Sequence, residues 1–220
     1  MKILIIGSQE QSELLKNKLS SAHEYFVSPY LSKELNEVDL VFDFTNEGGS
    51  EALEPYSDRE GLIVFLNNTH FSLAELSYFQ DEITCFLYGF NGEPTFIERD
   101  LLEITALSIS EKETLPDLMQ ALGLSYELVD DRVGMVTPRV VAMIINEAYF
   151  TVMEGTASRE DIDLGMKLGT NYPMGPFEWV KAWGVDRVYE LIEALYDDTK
   201  DERYKICPLL KKEYLLNSNS

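Results

Sequence analysis

Four apolar runs constrain this chain more than any other feature: "KILIIG" (Lys2 to Gly7), "VDLVFDFT" (Val38 to Thr45), "GLIVFLNN" (Gly61 to Asn68) and "ITCFLYGF" (Ile83 to Phe90). Runs this continuous, with no polar residue at every second position, are the pattern of parallel strands covered on both faces. The covering helices are also visible. After Gly7 a polar stretch carries Leu14, Leu15 and Leu19 on one helical side, a β-α start. "SLAE" (Ser72 to Glu75) reads as a capping box, and "SEKE" (Ser110 to Glu113) repeats it. The second box leads into Leu115, Leu118, Met119 and Leu122, a stripe for packing on the sheet. "LSYELVDD" (Leu124 to Asp131) reads as a last strand.

Beyond Gly134 the period becomes helical and stays so. Val140, Val141, Ile144, Ile145, Ala148, Tyr149, Val152 and Met153 form one wide stripe, and Met143 and Phe150 a second line on another side. A helix apolar on two sides belongs in the middle of a bundle or at a subunit contact. Ser158 with Asp161 marks another helix start, and Val188, Leu191, Ile192 and Leu195 a later helix. Between them "LGTNYPMGPFEWVKAWGVDR" (Leu168 to Arg187) looks like a tight elbow joining packed helices. The reading is therefore two domains, 1–130 and 131–220, with a frayed "NSNS" end.

Net charge excludes one class of partner. The chain carries 39 acids against 18 bases, a formal charge of −21, which repels nucleic acid and anionic membranes. No apolar run approaches the roughly 20 residues of a membrane span, so a cytoplasmic protein is expected. Cys85 and Cys207 lack metal-type spacing and read as reduced thiols; no metal site is expected. Bases gather only around "RVGMVTPR" (Arg132 to Arg139) and near Arg203, Lys205, Lys211 and Lys212, where an anionic ligand could be met.

The segment from Ile145 to Tyr214, with its "INEA", "EG.AS.EDID..MKLG", "PMGPFE", "D.RY" and "PLL" marks, resembles the helical C-terminal domain of the 3-hydroxyacyl-CoA dehydrogenases. "KILIIG", "VDLVFDFT", "LNNT" and "GFN" are similar, more faintly, to that family's NAD-binding Rossmann domain. The resemblance implies an α/β fold, a reduced Rossmann-like parallel sheet domain followed by an all-helical dimerisation domain. It also implies a homodimer, NAD as hydride carrier and an acyl-CoA ligand in fatty-acid metabolism.

Several positions depart from the family's pattern. Gly7 is followed by "SQEQS", so Gln9 and Ser12, or residues nearby, stand where further phosphate-approaching glycines belong, and Glu10 adds negative charge. "EYFVSPY" lacks the acidic residue that would hold ribose hydroxyls, and only Pro29 to Glu37 link it to the next strand. The family's catalytic His falls at Tyr88 or Gly89, its Glu partner at Glu103 or Asp100, its Asn at Pro138 and its Ser at His70. The resulting candidates are Glu103, His70 and Tyr88 for catalysis, with His70 a replacement base at a strand end, and Gly7 and Asn68 for the cofactor. The expectation is a divergent member with weakened NAD binding and little or no dehydrogenase activity. An active dehydrogenase and a dimeric acyl-CoA-binding or regulatory module are the alternatives.

Overall fold

The structure, a computed structural model, describes all residues except 47, 50 and 218–220. It divides into two compact units, Met1–Met135 and Val136–Ser220. The expected frayed end beyond Asn217 lies outside the described residues.

The first unit is built on β1 (Lys2–Ile6), β2 (Glu24–Ser28), β3 (Leu40–Asp43), β4 (Ile63–Asn67), β5 (Phe86–Phe90), β6 (Leu101–Ala106) and β7 (Ser125–Leu128), in the sheet order β2-β1-β3-β4-β5-β6-β7. The four apolar runs are the inner strands β1, β3, β4 and β5, buried almost throughout and paired in parallel. Strand β6 departs from the all-parallel expectation, running antiparallel to β5 with Gly89 opposite Thr105. Its sequence, "LLEITA", alternates because Leu102, Ile104 and Ala106 enter the core while Glu103 and Thr105 take the opposite face.

Helices α1 (Gln9–Lys18), α2 (Leu73–Tyr78), α3 (Pro94–Ile97) and α4 (Ile109–Leu122) complete the unit. One face of the sheet packs Ile3, Ile5, Phe42, Phe65, Tyr88 and Phe90 against Leu15, Leu115, Met119 and Leu122. The other packs Leu4, Ile6, Val41, Val64 and Leu66 against Leu53, Tyr56, Leu73 and Leu76. The α2 box forms as read: Ser72 Oγ accepts from Glu75 N at 3.1 Å and Glu75 Oε2 from Ser72 N at 2.9 Å. In α4 the box sits two residues earlier than expected, on Ser108 and Glu111. Glu111 decides this register, because its second carboxylate oxygen accepts from Leu87 N at 2.8 Å and so ties the helix start to β5.

The second unit is helical: α5 (Thr137–Met153), α6 (Arg159–Thr170), α7 (Pro176–Trp183), α8 (Val185–Thr199) and α9 (Pro208–Asn217). Buried Asn146, in "INEA", clamps the chain before α9, donating from Nδ2 to Lys205 O and accepting at Oδ1 from Cys207 N, both at 2.9 Å. The elbow spans α6 to α8. Asn171 ends α6 in the left-handed region, and Asp163 Oδ1 accepts from Phe177 N at 2.8 Å to cap α7. Gly175 is there because a Cβ at that position would lie 2.3 Å from Asp163 Oδ1. Gly184, at φ +105°, makes the turn between α7 and α8 that an L side chain resists.

Helix α5 is apolar on two sides, and only one is covered within the unit. Val141, Ala142, Ile145 and Tyr149 are buried, whereas Val140 is 52% and Met153 45% exposed. Val140, Met143, Ile144, Ile162, Met166 and Pro176 line a cavity of about 630 Å³, together with Arg139 and Arg203.

Candidate functional site

The carboxyl ends of β4 and β5 gather polar side chains that are buried. Asn67, Asn68 and Thr69 follow one another where β4 ends, and Asn91 and Glu93 follow β5. The Glu93 carboxylate has no exposed surface. Its Oε1 accepts from Thr69 Oγ1 at 2.8 Å and from Asn67 Nδ2 at 3.4 Å. Thr69 Oγ1 lies 3.1 Å from His70 Nδ1, and His70 Nδ1 is 4.0 Å from Glu93 Oε1. His70 Nε2 is buried and has no hydrogen-bond partner among the described residues. Asn67 also accepts at Oδ1 from Gly92 N at 3.1 Å, and Thr69 O from Gly134 N at 2.6 Å, so backbone bonds hold the group.

A second polar group surrounds Gly89. Asn68 is fully buried with both amide atoms unpartnered among the described residues, as is the buried Thr105 Oγ1. A Cβ on Gly89 would stand 2.1 Å from Asn68 Oδ1 and 2.6 Å from Thr105 Cγ2. The Asn68 amide thus fills the place of a side chain on β5.

Of the candidates read from sequence, His70 sits in the first group and Asn68 in the second. Tyr88 points to the opposite sheet face, its hydroxyl 3.1 Å from Glu111 O, to which it donates, and 3.0 Å from Thr114 Oγ1; burial raises its phenol above the ordinary value. Glu103 lies on β6 opposite Glu127, with its backbone oxygen accepting from Asn91 N at 3.1 Å. Sequence reasoning missed Glu93 and Thr69. The available signal was an acid directly before Pro94 at a strand end, beside the "NNTH" strand end in the sheet order.

Gly7 ends β1 at the turn where the strand order changes direction, the usual ligand crevice of such a sheet. Here a capping box closes part of the helix start from within the chain. Ser8 Oγ accepts from Gln11 N at 3.2 Å and Gln11 Oε1 from Ser8 N at 3.0 Å, while Glu10 occupies the first turn. Phe44 packs on the glycines: a Cβ on Gly7 would meet it at 3.1 Å and one on Gly92 at 2.9 Å. The capping box thus takes one of the first-turn N–H groups that a dinucleotide pyrophosphate would meet at such a turn, and Glu10 adds a carboxylate beside it. Beside it, Gly7, Gln9, Ser12, Glu13, Lys16, Val27 and Pro29 line a cavity of about 520 Å³. Among the described residues no cluster of three or more His, Cys, Asp or Glu could hold a metal, and no helix is long and apolar enough to cross a membrane.

Residues 134–219 match the family model described as "3-hydroxyacyl-CoA dehydrogenase, C-terminal domain". This helical part of the chain belongs to the 3-hydroxyacyl-CoA dehydrogenase family. Among relatives of this family, a 3-hydroxyadipyl-CoA dehydrogenase of Escherichia coli (strain K12) is 43% identical over 46% of this chain and 21% of its own length. A probable 3-hydroxybutyryl-CoA dehydrogenase of Bacillus subtilis (strain 168) is 38% identical over 51% and 40%. The matched part thus spans less than half the length of either relative. A solved (S)-3-hydroxybutyryl-CoA dehydrogenase from Ralstonia eutropha shares the fold, with a TM-score of 0.75, 22% identity and coverage of 98% of this chain and 94% of that one.

Proposed function

We propose that this protein is a divergent 3-hydroxyacyl-CoA dehydrogenase-like member of acyl-CoA metabolism that binds an acyl thioester and holds NAD weakly, with little or no dehydrogenase turnover. Family membership supports the substrate class. The observation that carries the weakness is the Ser8–Gln11 capping box, which consumes the first-turn donor a phosphate would use. When bound, NAD would supply a hydride acceptor, and Gly7 and Gln9 at the turn after β1 would be the residues to meet it. Tyr88 and Glu103 serve packing and strand pairing in this reading. The protein works as a cytoplasmic homodimer through the apolar side of α5, where Val140 and Met143 await a partner surface.

Titrating NADH into the protein while following nicotinamide fluorescence tests the reading: no saturation below millimolar NADH is expected, and saturable micromolar binding overturns it. An active NAD-dependent enzyme is the second reading, favoured by the His70–Thr69–Glu93 contact, and requires acetoacetyl-CoA-dependent NADH oxidation.

A further inference from the structure

We infer that the apolar cavity of the helical unit binds a free medium-chain carboxylate, whose head group Arg139, Arg203 and Tyr204 hold and whose chain α5 and α6 enclose. In a chain of net charge −21 most surfaces repel an anion. The two groups of bases set apart in the sequence meet at one place. Arg139, at the start of α5, donates from Nη1 to Tyr204 Oη at 3.1 Å, and its guanidinium carbon lies 5.7 Å from the centre of that ring. Arg203 stands over the same ring at 4.7 Å. Its ion pair with Asp201 uses Nε at 3.3 Å, so among the described residues the terminal nitrogens of its fork remain for a carboxylate. Tyr204 is buried, and its own hydroxyl hydrogen has no acceptor among the described residues. All three residues line the cavity of about 630 Å³.

The rest of the lining fits a hydrocarbon. Val140, Met143, Ile144, Ala148, Ile162 and Met166 present only apolar side chains. On α5 the lining runs from Arg139 to Thr151, about 18 Å of helix and the reach of a saturated chain of roughly ten to twelve carbons. Glu147, about two turns from Arg139, repels a carboxylate and so directs the head group to the arginines. The group recognised is an ionised carboxylate, which distinguishes this ligand from the acyl thioester proposed above. Val140 and Met143 also belong to the proposed subunit contact, so a bound chain and a second copy compete for them; this competition rests on the homodimer reading.

Calorimetric titration of the protein with octanoate, decanoate, dodecanoate and decan-1-ol, each below its micelle concentration, tests the site. Expected is one carboxylate per chain, with affinity rising roughly tenfold for each added pair of methylenes. Decan-1-ol should bind at least about tenfold more weakly than decanoate, and Arg203→Gln and Tyr204→Phe should each narrow that difference. Decanoate and decan-1-ol binding alike, or variants that leave the difference unchanged, overturn the head-group recognition. No saturation by any carboxylate below millimolar overturns the site and leaves a second copy as the occupant of the cavity. Light scattering on the same samples reads the competition: saturating dodecanoate is expected to turn a dimer into a monomer, and a dimer that persists with the ligand bound overturns it. A protein that is monomeric without ligand overturns the homodimer reading, while the carboxylate site stands or falls on the titration.

Discussion

Replacing Gly89 by Ala tests whether the buried Asn68 amide shapes the middle of the sheet. The new methyl would stand 2.1 Å from Asn68 Oδ1, 2.5 Å from Asn68 Cγ and 2.6 Å from Thr105 Cγ2, all inside van der Waals contact. Asn68 is fully enclosed and cannot swing into solvent. Overpacking at such a site costs about 1–3 kcal/mol. Asn68→Ala alone acts differently. It removes an amide whose burial without partners costs about 1–3 kcal/mol and leaves a small void costing a similar amount, so its net effect is expected within about 1 kcal/mol of zero. With Asn68 shortened, the methyl at 89 keeps only the Thr105 collision, and the double variant should recover at least about 1 kcal/mol of the single-variant loss. Urea unfolding followed by far-ultraviolet circular dichroism reads all four proteins, with the midpoint moving and the slope unchanged. Additivity within about 0.5 kcal/mol would refute the claim that the Asn68 amide occupies the Gly89 side-chain space.

Gly175→Ala drives a methyl into Asp163 and disturbs the α7 cap, so a loss of about 1–3 kcal/mol is expected by thermal or urea unfolding. Met143→Glu with Ile144→Glu, both on the apolar side of α5, should turn a homodimer into a monomer in light scattering while leaving helix content unchanged. Burial pushes the Cys85 thiol up to about 11, so the folded protein should resist thiol reagents at pH 8 and react fully in denaturant. Because that folded value lies above the ordinary 9.0, the contribution of Cys85 to stability is complete below about pH 9 and lost as pH rises through about 11; Cys85→Ser should flatten this part of the stability curve.

The inner strands were legible because burial on both faces leaves no polar position, and such runs have few other meanings. Strand β6 was not, since Glu103 and Thr105 interrupt it and its antiparallel course is set by pairing with β5. The α4 cap slipped by two residues because "SISEKE" offers two Ser-x-x-Glu boxes, and the choice falls to a tertiary bond from Leu87. At the candidate site, His70 stood out as a strand-end imidazole. Its relation to Glu93 did not, because 23 positions separate them in the chain and only parallel pairing of β4 and β5 brings Thr69 within reach of both. The two-sided apolar pattern of α5 was readable, yet the split between a covered side and an open one required the positions of its neighbours.

The self-capped start of α1 also changes how this protein responds to its surroundings. A fold whose helix terminus is completed by an anion gains stability as that anion accumulates. Here Ser8 and Gln11 supply two of those contacts from within the chain, so the start of α1 is set without an anion. On the proposed reading of weak NAD binding, the amount of folded protein would follow the nicotinamide pool only slightly.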